Sequence, residues 1–446
     1  MKRPRPRPIT SPLLPRGVEI IVPPPPHEAC TLVDRLLVYA SSLIVVGSPI
    51  WFYGGLIFLY RRWRKYRALA HERSTEDDEY DDDEYDEYDD DDEYENGIGD
   101  SRRRHRRRRR RRSGYDALAS RYGAALATII LLSIFGPHRR TRLGEMLGAR
   151  RWRLWDAWLN YVGYTVLRDG GDDDDDLDRD IVPLAMDDAS ARTSSSFDPL
   201  SSPAIYAFVP HGIFPFGLAF SCLPERGYDG TWGEFRPVVA TATRLFPLVR
   251  TFIDWMGGVD ASRRAVSRVL SSPTTAHQST SSPGGRRLGI SPGGIAEMFE
   301  TYPKPGYHPN DEAALLRHRD GMFKLALRHH VPIVPVYCFG ATKMFRRVQL
   351  PRFVETLSRA LRISILLLYG RWGLPIPFRQ RLMYVVGRTI WPPASSSSIS
   401  DDQMMTGERF DCLVREMHDA FCDEIERIFY RNRSHYGWEN KTLRLV

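Results

Sequence analysis

Two stretches near the middle of this chain place proton-moving side chains beside glycine. In Phe208-Val-Pro-His211-Gly212 an apolar run, Ala204 to Val209, ends at a proline and delivers an imidazole to a turn. Histidine is the side chain best suited to take a proton from an alcohol near neutral pH. Gly212 leaves room for another molecule to approach the backbone closely. Further on, Leu288-Gly-Ile-Ser291-Pro292-Gly293-Gly294-Ile-Ala-Glu297 reads as a strand entering a glycine turn and then a helix that starts near Ile295. N–H groups exposed in such a turn can hold an oxyanion or a phosphate, and Glu297 falls in the first helical turn. A plain strand–helix turn accounts equally well for two glycines alone. In Arg317-His-Arg319-Asp-Gly-Met-Phe-Lys324-Leu-Ala-Leu-Arg328, Lys324 and Arg328 are four apart and share one helix face. Cations there suit the phosphates of a large anionic cofactor, although a solvated basic face has the same pattern.

A serine hydrolase is the rival chemistry. Gly289-Ile-Ser291-Pro292-Gly293 matches the G-x-S-x-G nucleophile elbow. In such elbows the residue after the nucleophile donates its N–H to the oxyanion, and here that residue is Pro292, which has none. The motif fails at the atom that matters. The five cysteines are scattered, with no C-x-x-C pair. This argues against a zinc knuckle or a disulfide framework and for a reduced, cytosol-facing domain. Two glycosylation sequons near the C-terminus, at Asn432 and Asn440, read as accidental in that setting.

The elements that must hold these groups begin at about Pro203, where the pattern becomes that of an α/β domain. Strands are expected at Ile205–Val209, Val238–Ala240, Leu288–Ile290, Ile333–Phe339 and Met383–Val386. Helices are expected at Arg263–Leu270, Ile295–Glu300, Asp311–Leu316, Met322–His329 and Phe410–Tyr430. The fold class is α/β, a mixed sheet flanked by helices over residues 201–446, with loop insertions at 271–287 and Ser395–Ser398. Tyr369-Gly-Arg371-Trp372-Gly-Leu-Pro375-Ile-Pro377 reads as a rigid loop that lines an acyl tunnel or lies on a membrane.

Before this domain the chain looks membrane-bound. Residues 1–33 are rich in proline and arginine and are expected to lack packed structure. Residues 34–62 contain 25 consecutive uncharged residues, Leu36 to Tyr60, about 37 Å as a helix and so long enough to cross a bilayer. Gly47-Ser48-Pro49 breaks that run into a kinked span or a re-entrant hairpin. Residues 63–114 are expected to be a disordered linker. Within it, residues 76–95 hold 16 carboxylates and residues 102–112 hold ten arginines. Residues 115–140 form a second, shorter hydrophobic segment. In residues 141–200, Trp152, Trp155 and Trp158 interleave with arginines, as in a membrane-surface helix or an ordinary core helix, before a flexible junction. Setting the two charged tracts aside leaves 53 basic and 40 acidic side chains, a body suited to anionic lipid or phosphate. Nucleic acid is disfavoured, because no recognisable fold or interleaved aromatics accompany the arginine tract and the acidic tract would compete with phosphates.

In their order along the chain these stretches resemble the type-2 diacylglycerol acyltransferase family, which includes monoacylglycerol and wax-alcohol acyltransferases. Val209-Pro-His211-Gly212 is similar to its H-P-H-G motif, Gly257-Gly-Val259 to its G-G-I/V and Gly293-Gly-Ile-Ala-Glu297 to its G-G-x-x-E. Arg317 to Arg328 with Val334-Pro-Val-Tyr-Cys-Phe-Gly340 matches a further block, as do Trp372 to Pro377 and Val386-Gly387. Val209 stands where the family has a histidine, Asp320 replaces a usual lysine or arginine, and Ala341 a usual glutamate. Phe216 occupies the aspartate position of the H-x-x-x-x-D motif of glycerophosphate acyltransferases, which disfavours a lysophospholipid acceptor. The resemblance implies acyl transfer from acyl-CoA to diacylglycerol at the endoplasmic reticulum membrane or a lipid droplet. His211 would be the base, and Glu297 would orient it or position the substrate. Gly212, Gly293 and Gly294 would hold the oxyanion, while Arg319, Lys324 and Arg328 would contact CoA phosphates. No cofactor or metal is expected beyond the co-substrate acyl-CoA, and the partners are acyl-CoA, diacylglycerol and membrane lipids, with a homo-oligomer allowed. The alternatives are a monoacylglycerol or fatty-alcohol acceptor, or an inactive membrane scaffold.

Overall fold

The computed structural model describes residues 14–26, 29–83, 95–135, 147–171, 181–182, 197–223, 231–245, 247–271, 286–361, 365–393 and 407–446. The chain forms two compact units, residues 47–142 and the remainder. The larger unit is built on a mixed sheet that contains ten strands among the described residues. Its strands are β1 (Val18–Val22), β2 (Thr165–Asp169), β3 (Ile181–Val182), β4 (Ala204–Val209), β5 (Arg236–Val239), β6 (Val259–Asp260) and β7 (Arg287–Ile290). After a short β8 (Asp311–Ala314) outside the sheet come β9 (Ile333–Phe339), the hairpin strands β10 (Arg346–Arg347) and β11 (Leu368–Tyr369), then β12 (Met383–Val386) and β13 (Thr389–Ile390) of the sheet. A last strand, β14 (Thr442–Leu445), pairs with β8. The order across the sheet is β1-β2-β12-β9-β4-β7-β5-β6, with β3 and β13 off the path.

β4 lies parallel between β9 and β7, which buries both its faces. That is why its sequence is a continuous apolar run rather than an alternation. Ile205, Ala207 and Val209 join one core layer with Phe421, Ile425 and Phe429 of the long helix Glu408–Tyr436. Tyr206 and Phe208 face the other layer, with Trp232, Phe235 and Tyr384. The long helix repeats Leu413, Met417, Phe421 and Ile425 every fourth residue, a helical stripe, and ends at Gly437 in the left-handed conformation. Each such side chain contributes about 1.5–3 kcal/mol on full burial. A buried ionic cluster ties the helix to β2: Asp169 binds Arg427 at 2.8 Å, Arg431 at 3.3 Å and Asn432 at 2.7 Å.

Several expectations change. β9 and β12 match the predicted limits, as does the helix Arg263–Leu270. Asp311–Leu316, expected as a helix, instead supplies β8, because β14 is available to pair with it. β1 takes five residues from the proline-rich N-terminal region and pairs them with β2. The tryptophan-rich stretch forms only a short helix, Leu154–Tyr161, before β2. Trp158 is buried there against Phe216 and Phe220 and donates its indole N–H to Ser41 Oγ at 3.0 Å. It is a core helix.

The 25-residue uncharged run divides at the expected break. Its first half belongs to the helix Leu32–Val45, which starts at a Thr31 capping box and packs on Leu154–Tyr161. Ser42 Oγ donates to Pro375 O at 2.6 Å. The second unit is a helical pair, Ser48–Asp83 and Glu95–Phe135, in which Tyr66 stacks on Tyr122 with centroids 5.6 Å apart. The backbone is thus helical on both flanks of residues 84–94, within the stretch read as linker. No single helix among the described residues is long and apolar enough to cross a membrane. Leu32–Val45 and Ser48–Glu72 reach that length and composition only as a pair. Residues 84–94 of the acidic tract, 136–140, most of the 271–287 insertion and Ser395–Ser398 lie outside the described residues.

Candidate active site

At the C-terminal end of β4 the chain passes a cis Val209–Pro210 peptide and presents His211, only 5% exposed. Glu297, 2% exposed, closes the short helix Gly294–Glu297 that follows β7. Since β4 and β7 are parallel neighbours, their C-terminal ends emerge side by side and bring two residues 86 apart in sequence together. His211 Nε2 lies 2.6 Å from Gly294 O and 3.5 Å from Glu297 Oε2. A carbonyl oxygen only accepts, so Nε2 carries the ring proton and donates it. Nδ1 is then the basic nitrogen, and it has no hydrogen-bond partner among the described residues.

Glu297 is gripped by the backbone. Its Oε2 accepts the His211 N–H at 3.0 Å and its Oε1 the Leu315 N–H at 3.2 Å. Burial pushes the carboxyl up from its usual range; the His211 ring, these two N–H bonds and the charge of Arg319 pull the other way. The result is an imidazole with a carboxylate facing its proton-bearing side and a buried nitrogen, unpartnered among the described residues, on the other.

Each of the three glycines makes a close approach or turn within the protein itself. A side chain at Gly293 would meet the Glu297 carboxyl carbon at 2.6 Å, so glycine is what lets the carboxylate fold back. Gly294 adopts φ +58°, and its carbonyl faces the histidine while its N–H donates to Ser291 O at 3.2 Å. The Gly294 amide hydrogen is therefore committed within the turn. The close approach at Gly212 is made by the protein's own backbone: a Cβ there would lie 2.5 Å from Ala341 O. Of the expected phosphate ligands, half-buried Arg319 is near enough for its charge to act on Glu297. Lys324 and Arg328 lie on the helix Gly321–His329, with Arg328 over the Phe410 ring at 5.6 Å and neither contacting His211 or Glu297.

Ser291 Oγ is buried and makes no hydrogen bond among the described residues, His211 included, so the elbow motif has no base. Val209 is a core residue in register with Tyr337, and Phe216 packs among Trp158, Phe214, Phe220 and Phe345. Two participants escaped the sequence reading, the Leu315 N–H and the Gly294 carbonyl. Both are backbone atoms, which no residue type announces. Behind them Glu312, buried beside β14, pairs with Lys343 at 2.6 Å and Lys441 at 3.3 Å. The carbonyl of Val446 accepts the N–H groups of Leu316 and Arg317 at 3.0 and 2.9 Å. No group of metal-ligating side chains occurs among the described residues.

Residues 199–446 match the family profile of diacylglycerol acyltransferase. The chain is 27% identical over 255 residues to 2-acylglycerol O-acyltransferase 1 of Mus musculus, covering 54% of this chain and 68% of that protein. It is 23% identical over 312 residues to acyl-CoA wax alcohol acyltransferase 1 of Mus musculus, covering 67% and 78%. With diacylglycerol O-acyltransferase 2A of Umbelopsis ramanniana it shares 25% over 259 residues, covering 54% and 65%. The 1-acyl-sn-glycerophosphate acyltransferase of Thermotoga maritima superposes over 50% of this chain and 67% of that one, with a TM-score of 0.24 at 14% identity, too low to carry an argument. The profile spans more than half of the sequence and includes His211, Gly293, Gly294 and Glu297. This chain is an acyltransferase and belongs to the diacylglycerol acyltransferase family.

Proposed function

We propose that the protein transfers a fatty acyl group from acyl-CoA to the free hydroxyl of diacylglycerol, making triacylglycerol. The observation that carries this reading is the orientation of His211: Nε2–H is held by Gly294 O beside Glu297, and Nδ1 is left bare. Nδ1 takes the hydroxyl proton as the acceptor oxygen bonds to the thioester carbonyl carbon. The imidazolium so formed is stabilised by Glu297 on its Nε2 side. The tetrahedral oxyanion then collapses, the carbon–sulfur bond breaks, and the CoA thiolate leaves with the proton returned from Nδ1. Gly212 and Gly293 N–H groups are the oxyanion donors in this scheme, and Arg319 with Lys324 and Arg328 serves the CoA phosphates. No metal or further cofactor enters. An acceptor and product this apolar stay in a bilayer, so the enzyme works at the endoplasmic reticulum membrane with its catalytic domain facing the cytosol.

Relatives named for 2-acylglycerol and wax alcohol lie at the same level of identity as one named for diacylglycerol, so either acceptor is the second reading. The test uses membranes from a host lacking its own triacylglycerol synthesis, labelled acyl-CoA, and diacylglycerol, monoacylglycerol or fatty alcohol in turn. Label should enter triacylglycerol, and His211→Ala should lower that rate by about 10²–10⁴-fold. Label in another ester would change the acceptor and keep the mechanism. No His211-dependent ester at normal expression would favour a scaffold.

A further inference from the structure

The helix Arg352–Leu361 is amphipathic the wrong way round for a globular surface. Ser358 is buried and Val354 half-buried on its inner side. Phe353, Leu357 and Leu361, four apart along one stripe, are 70%, 46% and 53% exposed. At its root Val348 and Leu367, joined by an N–H to carbonyl bond of 2.8 Å, are exposed as well. We infer that this helix and the β10–β11 hairpin seat the catalytic body on a bilayer leaflet that carries anionic phospholipid.

Charge selects that occupant among those an apolar stripe could take. Residues 346–381 hold eight arginines and a single carboxylate, Glu355. That carboxylate is already paired with Arg347 at 2.9 Å. Arg346 and Arg352 are exposed at the border of the stripe. Arginines beside exposed phenylalanine and leucine suit a surface where apolar groups sink below a layer of phosphates. A second copy would bring the same positive patch, so two such faces meeting would set like charges against each other. The seat lies outside the Leu36–Tyr60 run and the 115–140 segment, so it is a separate hold on the membrane. In purpose the inference rests on the membrane-borne acceptor proposed above, whereas its test does not.

Full-length protein carrying Leu357→Cys, labelled with the environment-sensitive dye NBD, is reconstituted into phosphatidylcholine vesicles with or without phosphatidylserine. The unmutated chain, whose cysteines are buried or half-buried, is the labelling blank. Glu439→Cys, at an exposed position, is the control. With phosphatidylserine present the label at 357 should shift to the blue and lose most of its emission to a lipid-borne quencher, while the label at 439 stays in water. Adding Phe353→Asp should abolish the quenching. Arg352→Gln should lower the seated fraction roughly fivefold at limiting phosphatidylserine. A label at 357 that stays in water on anionic vesicles overturns the inference. So does one shielded only as protein concentration rises, which assigns the face to a second copy, or only when cytosolic proteins are added. The readout needs no turnover, so it separates failure of the seat from failure of the acyltransferase reading.

Discussion

Glu297 is the residue on which the geometry of the site converges. It accepts two backbone N–H groups and faces the proton-bearing nitrogen of His211. Glu297→Gln preserves shape but sets an amide NH2 against one of those N–H groups, at a cost of about 1–3 kcal/mol. Acyl transfer should fall through kcat with KM for acyl-CoA little changed, as steady-state kinetics would show. The pH dependence of stability gives a second readout. Because burial raises its pKa, the native carboxyl holds its proton to higher pH than the unfolded chain does. Its contribution is therefore full below the unfolded value and declines as pH rises from there through the raised folded value. Thermal melts across that window should show a falling slope in the native protein that Glu297→Gln lacks.

At the scale of elements, β8 and β14 hold the second N–H of that carboxylate in place. Leu315 follows β8 directly, and β14 runs parallel beside it from Thr442 to Leu445. Leu443→Asp would put a charge where a buried leucine fills the core. Hydrogen exchange at Leu315, Leu316 and Arg317 should speed up and acyl transfer should fall, although the substitution is remote in sequence from His211. This is also where the sequence was least legible. β4, β7, β9 and β12 announce themselves as apolar runs, and His211 with Glu297 stands out by residue type and flanking glycine. Asp311–Ala314 carries good helix formers, and only a partner more than a hundred residues away makes it a strand. The glycines were legible as a turn, but which backbone atom each presents, carbonyl or amide, is a matter of φ and ψ that composition does not encode.

For the whole molecule, the long C-terminal helix is anchored to the sheet by charge as well as by its apolar stripe. Asp169 is fully buried, with Arg427, Arg431 and Asn432 around it, and Arg427 also grips Glu424 at 2.6 Å. Removing one partner of such a cluster strands the others in a low dielectric. Asp169→Ala should cost about 3–5 kcal/mol and lower Tm in a melt, even though the residue touches nothing at the site. Sequence reading foresaw the helix and missed its anchor, since an aspartate at the end of a short strand is ordinary in isolation.

The pairing of β14 with β8 also has a consequence in time. Synthesis runs from the N-terminus, so His211 and Glu297 leave the ribosome well before Thr442–Leu445 are made. Among the described residues β14 is the strand that pairs with β8, so until it arrives the Leu315 amide lacks that support on Glu297. A nascent chain already long enough to contain His211 and Glu297 is thus expected to be silent, and acylation is expected to begin only after β14 is docked.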